Sequence, residues 1–345
     1  MSEEDLVPGG VVVRAHGGGG SAMADLLEGF VFPKILKKRE EPLDDAAVWT
    51  EKLEPGARLA MTTDAYVVTP IFFPGGDLGR LAVCGTVNDL AVSGAVPRAL
   101  SLALILEEGF ELKKLERLME SAAEAAAEAG VSIVTGDTKV VERGAGNGCY
   151  AVSAGMGIVP PGRNLSIRRC SPEDRIIVTS FLGDHGTAVM AARNNVDVPK
   201  EVRSDVAPLT GLVEALLEAV PETRFLRDAT RGGLSSVVCD LAREAEVGVE
   251  LEEEEIPVRP ETAAALSIFG IDPLATANEA VIVAVVPHDS AEKALDVLRG
   301  HPYGRNAAII GRLSSENPGR VVLKTTVGGR RILTTPYGEE LPRIC

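Results

Sequence analysis

Aromatic residues are scarce: one Trp, four Tyr and eight Phe make up 4% of the 345 residues. That is too few to build the stacking platforms on which single-stranded nucleic acids are held. Basic residues are outnumbered, with 35 Lys+Arg against 50 Asp+Glu and a formal net charge of −15. So acidic a chain lacks the broad basic face of a nucleic-acid footprint. The five cysteines (Cys84, Cys149, Cys170, Cys239 and Cys345) are scattered and odd in number. They argue against a disulfide framework and for a reducing cytoplasm. No apolar run approaches the ~20 residues of a membrane span. The opening MSEEDLVPGG is acidic and has no apolar signal-peptide core. The expectation is a cytoplasmic protein with no membrane or nucleic-acid partner. His16, His185, His288 and His301 show no zinc-type spacing with each other or with cysteines. There is no GxxxxGK[ST] loop, which excludes a Walker-type nucleotide site.

What is present is ordinary globular composition, 45% hydrophobic and 25% charged. At ~150 residues per domain the length predicts two domains. A helical stretch runs from Met23 to about Leu36, and a strand, RLAMTTD, ends at Asp64. Residues 78–94 read as a helix with a small apolar surface, and Phe110–Ala129 as an amphipathic one stopped by Gly130. Strands are predicted at Ala99–Leu106, Ser132–Thr135 and Tyr150–Val159. The turn-rich PPGRNLSIRRCSPEDR, 160–175, reads as a domain boundary. Beyond it, strands (176–180, 247–251, 280–286, 307–312) mix with helices (185–193, 208–219, 234–245, 290–298). Each half therefore combines strands and helices, an α+β chain of two α/β-type units. The run Glu252–Glu255 reads as a solvated turn. The last ten residues, PYGEELPRIC, have no period and read as an extended tail of ~30 Å reach.

Several residues carry chemistry. Gly17, Gly18, Gly19 and Gly20 form either a structural turn or a loop whose N–H groups close over phosphates. No regular βαβ series follows, so a dinucleotide fingerprint is not supported. Asp45, Asp64, Asp89, Asp137 and Asp228 sit at element ends or among small residues. Singly each reads as a cap or turn; together they offer the hard oxygen ligands that Mg²⁺ shares with substrate phosphates. Lys139 and Glu279 read as surface ion-pair members, or as an acid and a base in a cleft. Cys345 ends the chain on a mobile tail, where a thiolate is an unhindered nucleophile.

The segments AHGGGGSAM (15–23), TTDAYVVTPIFFPGGDLGRLAVCGTVNDLAVSGAVPRAL (62–100), IVTGDTKVV (133–141), GDHGTAVM (183–190), LRDATRGGL (226–234), ANE (277–279), GRNAAIIG (304–311) and the terminal PRIC (342–345) recur in this order in one family. Over nearly its whole length the chain resembles the HypE family of hydrogenase maturation carbamoyl dehydratases. That family belongs to the aminoimidazole ribonucleotide synthetase and selenophosphate synthetase superfamily.

The resemblance implies two domains of the aminoimidazole ribonucleotide synthetase-like fold. A glycine-rich segment and helix would occupy 1–40, an ATP-binding and dimerisation domain 41–160, a C-terminal α/β domain 161–335, and a flexible tail 336–345. It implies a homodimer whose N-terminal sheets close into a barrel. Its activity would be ATP-dependent dehydration of a carbamoyl group on the Cys345 thiol to a thiocyanate. A HypF-type carbamoyltransferase would load the tail, and a HypC–HypD scaffold would receive the cyanide for the NiFe hydrogenase iron. By matching motifs, the glycine loop, Asp45, Asp64, Asn88, Asp89, Asp137 and Asp228 would bind Mg²⁺–ATP, with Asp64, Asp89, Asp137 and Asp228 on the metal. Cys345, Lys139 and Glu279 would be catalytic. Two departures from the family are Ala280 and Val281, where glycine and lysine are usual. The competing readings are a carrier that presents a modified Cys345 without chemistry of its own, and a synthetase acting on a free small molecule.

Overall fold

The computed structural model describes residues 10–13, 16, 25–35, 53–336 and 344. The calls on Gly17, Gly18, Gly19, Gly20, Asp45 and Cys345 lie outside the described residues. Of the helix expected near Met23–Leu36, the described part is helical, π-type over Leu27–Val31 and α-type over Phe32–Ile35.

The N-terminal half is a four-stranded sheet under two helices. Its strands are β1 (Arg58–Tyr66), β4 (Val96–Glu107), β5 (Ser132–Val141) and β6 (Cys149–Val159), in the order β1-β6-β4-β5. A small hairpin of β2 (Phe72–Phe73) and β3 (Gly76–Asp77) leads into α1 (Leu78–Val92). Asp77 caps α1, its carboxylate accepting from Gly79 N at 2.9 Å and Arg80 N at 3.1 Å. The second helix, α2 (Leu112–Ala129), buries Leu112, Leu115, Leu118, Met119 and Ala122 on one stripe and ends on Gly130 in the left-handed region. Helix α1 is apolar nearly all round because it is covered on two sides. Its sheet-facing residues join the N-terminal core, while Ala91 joins a core cluster of the C-terminal half.

The C-terminal half is a seven-stranded mixed sheet. It comprises β7 (Arg175–Val178), β8 (Phe225–Asp228), β9 (Gly248–Glu252), β10 (Ile282–Val286), β11 (Ala308–Ser314), β12 (Val321–Lys324) and β13 (Arg330–Leu333), ordered β13-β12-β9-β11-β7-β10-β8. Helix α5 (Gly233–Glu244) packs on one face, and α4 (Thr210–Ala219) and α7 (Ala291–Gly300) on the other. Helices α3 (Asp184–Arg193) and α6 (Pro260–Phe269) complete this half. Strand β8, helix α6 and the β12–β13 hairpin carry too little periodicity to be read from sequence.

Strand β5 is longer than expected. The expected strand ends at Thr135, yet the observed one continues through Gly136 to Val141. A Cβ at Gly136 would lie 2.2 Å from Leu102 O on β4, so glycine is there to let the strands approach. Asp137 and Lys139 are therefore inside a strand rather than in the turn after one. Glu253–Glu255 forms a single 3-10 turn, as its charge run implies.

Candidate active site

The two halves meet along α1, and there the acidic residues gather. Register defines which of them share a face. Asp64 pairs with Ser153, Ser153 with Leu102, and Leu102 with Gly136. Ser153 and Leu102 are buried against the helices, so Asp64 lies on the helix side of the sheet. Tyr66, two residues on, donates its hydroxyl to Asp64 Oδ2 at 3.3 Å and meets Thr86 Oγ1 of α1 at 3.3 Å. Asp89 stands three residues further along α1, and its Oδ2 accepts from Thr62 Oγ1 at 2.7 Å. Burial pushes the Asp89 carboxyl up, and the Asp64 carboxylate, which shares a hydrogen bond with it, adds to the rise.

The C-terminal half contributes the rest. Asp228 ends β8, and burial, then repulsion from Asp89 and Asp64, pushes it up to about 7. Glu279 is 2% exposed and is raised well above the carboxylate range by burial, then by Asp205, Asp228 and Asp64. Its Oε1 has no hydrogen-bond partner among the described residues. Arg231, exposed in the turn after Asp228, is the cation whose charge acts on both Asp89 and Glu279.

The backbone around Glu279 is firmly held. Asp205 accepts from the N–H groups of Glu279 (3.1 Å) and Ala280 (3.0 Å). Asn278 is fully buried, donating to Ala229 O (2.8 Å) and Thr276 O (3.0 Å) and accepting from Gly183 N (2.7 Å). Asn88 of α1 donates to Glu279 O (3.1 Å) and Ala207 O (3.0 Å) and accepts from Leu209 N (2.7 Å). Both ends of the Asn88 amide are thus engaged with protein, and it ties α1 to the Glu279 loop. Ala280 is not among the non-glycine residues of positive φ, so its methyl group fits this backbone without left-handed strain.

His185, in the first turn of α3, closes the site. Its Nε2 lies 2.7 Å from the carbonyl oxygen of Ile344 and 3.7 Å from Glu279 Oε1, and its Nδ1 is 2.8 Å from Ser204 Oγ. Burial lowers its pKa to about 4, so the ring is neutral at ordinary pH.

Asp64, Asp89, Asp228 and Glu279 are therefore brought together. Asp137 and Lys139 are not. They follow Gly136 on the opposite face of the sheet from Asp64 and three strands away, ~14 Å at ~4.8 Å per strand. Their side chains are more than half exposed and stand 3.9 Å apart as a surface ion pair. His185, Asp205, Tyr66 and Arg231 were not singled out in the sequence. Of these, Tyr66, His185 and Arg231 lie inside the quoted segments 62–100, 183–190 and 226–234, and Asp205 carries no local signal at all.

The donor set is oxygen only, which suits a hard divalent cation. Among the described residues no group of three or more His, Cys, Asp or Glu is drawn close enough to hold a metal by itself. An Mg²⁺ ion needs only one or two carboxylates from the protein and completes its shell with water and substrate phosphates. The adjacent Asp64 and Asp89, repelling each other, are the pair that fits.

The chain matches the models of the AIR synthase related protein N-terminal domain over residues 43–159 and C-terminal domain over 171–324. It is 48% identical to the carbamoyl dehydratase HypE of Rhodobacter capsulatus over 336 residues, covering 97% of this chain and 98% of that one. A crystal structure of the hydrogenase maturation protein HypE in complex with ATP superposes with a TM-score of 0.90 at 40% identity, covering 96% of this chain and 99% of the other. A chain of a HypE–HypF complex superposes with a TM-score of 0.78 at 44% identity, covering 81% and 90%. Among the described residues no helix is long and apolar enough to cross a membrane.

Proposed function

The chain belongs to the HypE family of the AIR synthase related proteins, and from that premise we propose that it is an ATP-dependent carbamoyl dehydratase acting on its own C-terminal cysteine. The observation that carries the reading is the seat of the tail: Ile344, one residue before Cys345, is bonded to His185 beside Glu279. In this reading a HypF-type carbamoyltransferase loads Cys345. The carbamoyl oxygen then attacks the γ-phosphorus of ATP and ADP leaves. Loss of both amide protons, with departure of phosphate, leaves S–C≡N. The sum is RS–CO–NH₂ + ATP → RS–CN + ADP + phosphate + H⁺. A HypC–HypD scaffold takes the cyanide for hydrogenase iron, in the cytoplasm.

The residues divide the work. Asp64 and Asp89 would hold Mg²⁺, which neutralises phosphate charge when bound, with Asp228 beside them, and the glycine loop 17–20 and Asp45 would cover the nucleotide. Arg231 adds a cation on the same side. Glu279, surrounded by carboxylates, binds a proton more tightly than an ordinary carboxylate and serves as the base for the amide. The open face of the N-terminal sheet, with Met61 79% and Leu59 60% exposed, is the surface that a second copy covers. Asp137 and Lys139 lie on that face, and they serve the site from the neighbouring copy.

Convergence of Asp64, Asp89, Asp228 and Glu279 counts against a carrier with no chemistry, which has no use for them. A seated tail counts against a free small-molecule substrate. The test is intact mass of the carbamoylated chain before and after Mg²⁺–ATP. Loss of one water, about 18 Da, mapped to Cys345 is expected. A carbamoyl group that persists with ATP bound would return the carrier reading, and Cys345→Ala should yield no product.

A further inference from the structure

Ile344 is the last residue but one, yet it is 5% exposed and packs into the N-terminal core. Apolar burial explains its side chain, and a separate device holds its main chain. His185 is fully buried, and its imidazole meets Phe73 edge-on at 5.5 Å and 88°, which fixes the ring plane. The ring is neutral and carries one N–H. The Ile344 carbonyl oxygen at 2.7 Å can only accept, so the proton resides on Nε2. Nδ1 is then an acceptor, and the Ser204 hydroxyl donates to it at 2.8 Å while accepting from Val206 N at 3.2 Å. Ser204 thereby supports, with its hydroxyl as donor, the tautomer that points a donor at the tail.

We infer that His185, oriented by Ser204, is the positioning residue for the tail: it anchors the main chain at Ile344 and so presents the terminal residue beside Glu279. Only what the tail carries rests on the proposed dehydratase reading. One peptide unit, ~3.8 Å between Cα atoms, separates the anchored residue from the chain end. The anchor grips a backbone carbonyl, so it is indifferent to the state of the terminal thiol. Free, carbamoylated and cyanated tails offer it the same acceptor. A side-chain contact to the sulfur substituent would be remade at each step, and this one is not.

The test is the rate at which a small maleimide labels Cys345 in the full-length chain, located by peptide mass spectrometry. His185→Phe keeps the ring volume and removes the donor; His185→Gln keeps a donor. Losing one neutral hydrogen bond should speed labelling by roughly three- to tenfold in the Phe variant. The Gln variant should fall nearer the wild type, with ATP affinity by calorimetry unchanged in both. Wild-type labelling of His185→Phe would overturn the anchor, and so would equal acceleration by Phe and Gln, which general loosening produces. Where circular dichroism shows His185→Phe unfolded, Ser204→Ala carries the test. It frees the tautomer and should give roughly a twofold acceleration, and no change would overturn the proposal. Labelling needs neither carbamoylation nor ATP. Its failure therefore leaves the dehydratase reading standing, and failure of water loss leaves the anchor standing.

Discussion

The two sheets are treated differently by their own chain. Strand β10 of the C-terminal sheet is buried over all five residues because helices lie on both faces. Strand β1 of the N-terminal sheet alternates, with Ala60, Thr62, Asp64 and Tyr66 toward the helices and Leu59, Met61, Thr63 and Ala65 left open. The difference separates the acidic residues into two kinds. Those on the covered side, where the halves meet, lose water and crowd one another, and Asp89, Asp228 and Glu279 are pushed toward neutrality. Asp137, on the open side, keeps its water and a cation beside it. Topology, more than residue type, decides which carboxylates become chemically unusual.

The sharpest way to break this comparison is to place one charge on each sheet. Val283→Asp, in the middle of β10, buries a carboxylate without a partner and should cost at least ~3 kcal/mol or prevent folding, measured by urea denaturation. Met61→Asp, on the open face, should change monomer stability by less than ~0.5 kcal/mol and instead convert the proposed dimer to a monomer by light scattering. Unfolding of Met61→Asp would mean that the open face is part of the chain's own core. A smaller effect sharpens the role of the open face. Inactive Lys139→Ala and Glu279→Gln chains, mixed and refolded together, should recover about a quarter of wild-type turnover, since half the dimers are mixed and each has one intact site. No recovery would place Lys139 and Glu279 in the same chain's site, or Lys139 outside it.

Smaller still is a pH effect. The Asp228 carboxyl is raised to about 7 in the folded chain, against ~3.9 unfolded. The folded state then binds the extra proton between these values. Its stabilising contribution is complete below ~4 and is lost as pH rises through ~7. Thermal unfolding across that window should show the decline, and Asp228→Asn should flatten it. An unchanged slope would mean that Asp228 is not crowded by Asp89 and Asp64.

Much of this was legible in the chain. Helix α1 followed from its small apolar residues and α2 from its period; Asp64 stood out at a strand end, Asp89 and Asp228 among small residues, and Glu279 just before an apolar strand. What escaped depends on contacts distant in sequence. The expected strand ends at Thr135 until Gly136 is seen against Leu102. Asp205 is an ordinary loop acid until it caps the Glu279 and Ala280 N–H groups. The amide of Asn88, a residue expected at the nucleotide, is bonded to Ala207, Leu209 and Glu279, contacts that no local pattern shows. His185 has no zinc spacing and no acidic neighbour in sequence beyond Asp184, so nothing local reveals that the chain's far end rests on it.

The central claim is that carboxylates crowded at the seam, Glu279 foremost, dehydrate the tail seated beside them. Intact mass spectrometry of carbamoylated wild-type and Glu279→Gln chains, each given Mg²⁺–ATP, tests it most directly. The account predicts that the wild type loses about 18 Da at Cys345 while the Gln variant binds ATP and keeps its carbamoyl group. Water loss from Glu279→Gln at the wild-type rate would contradict it.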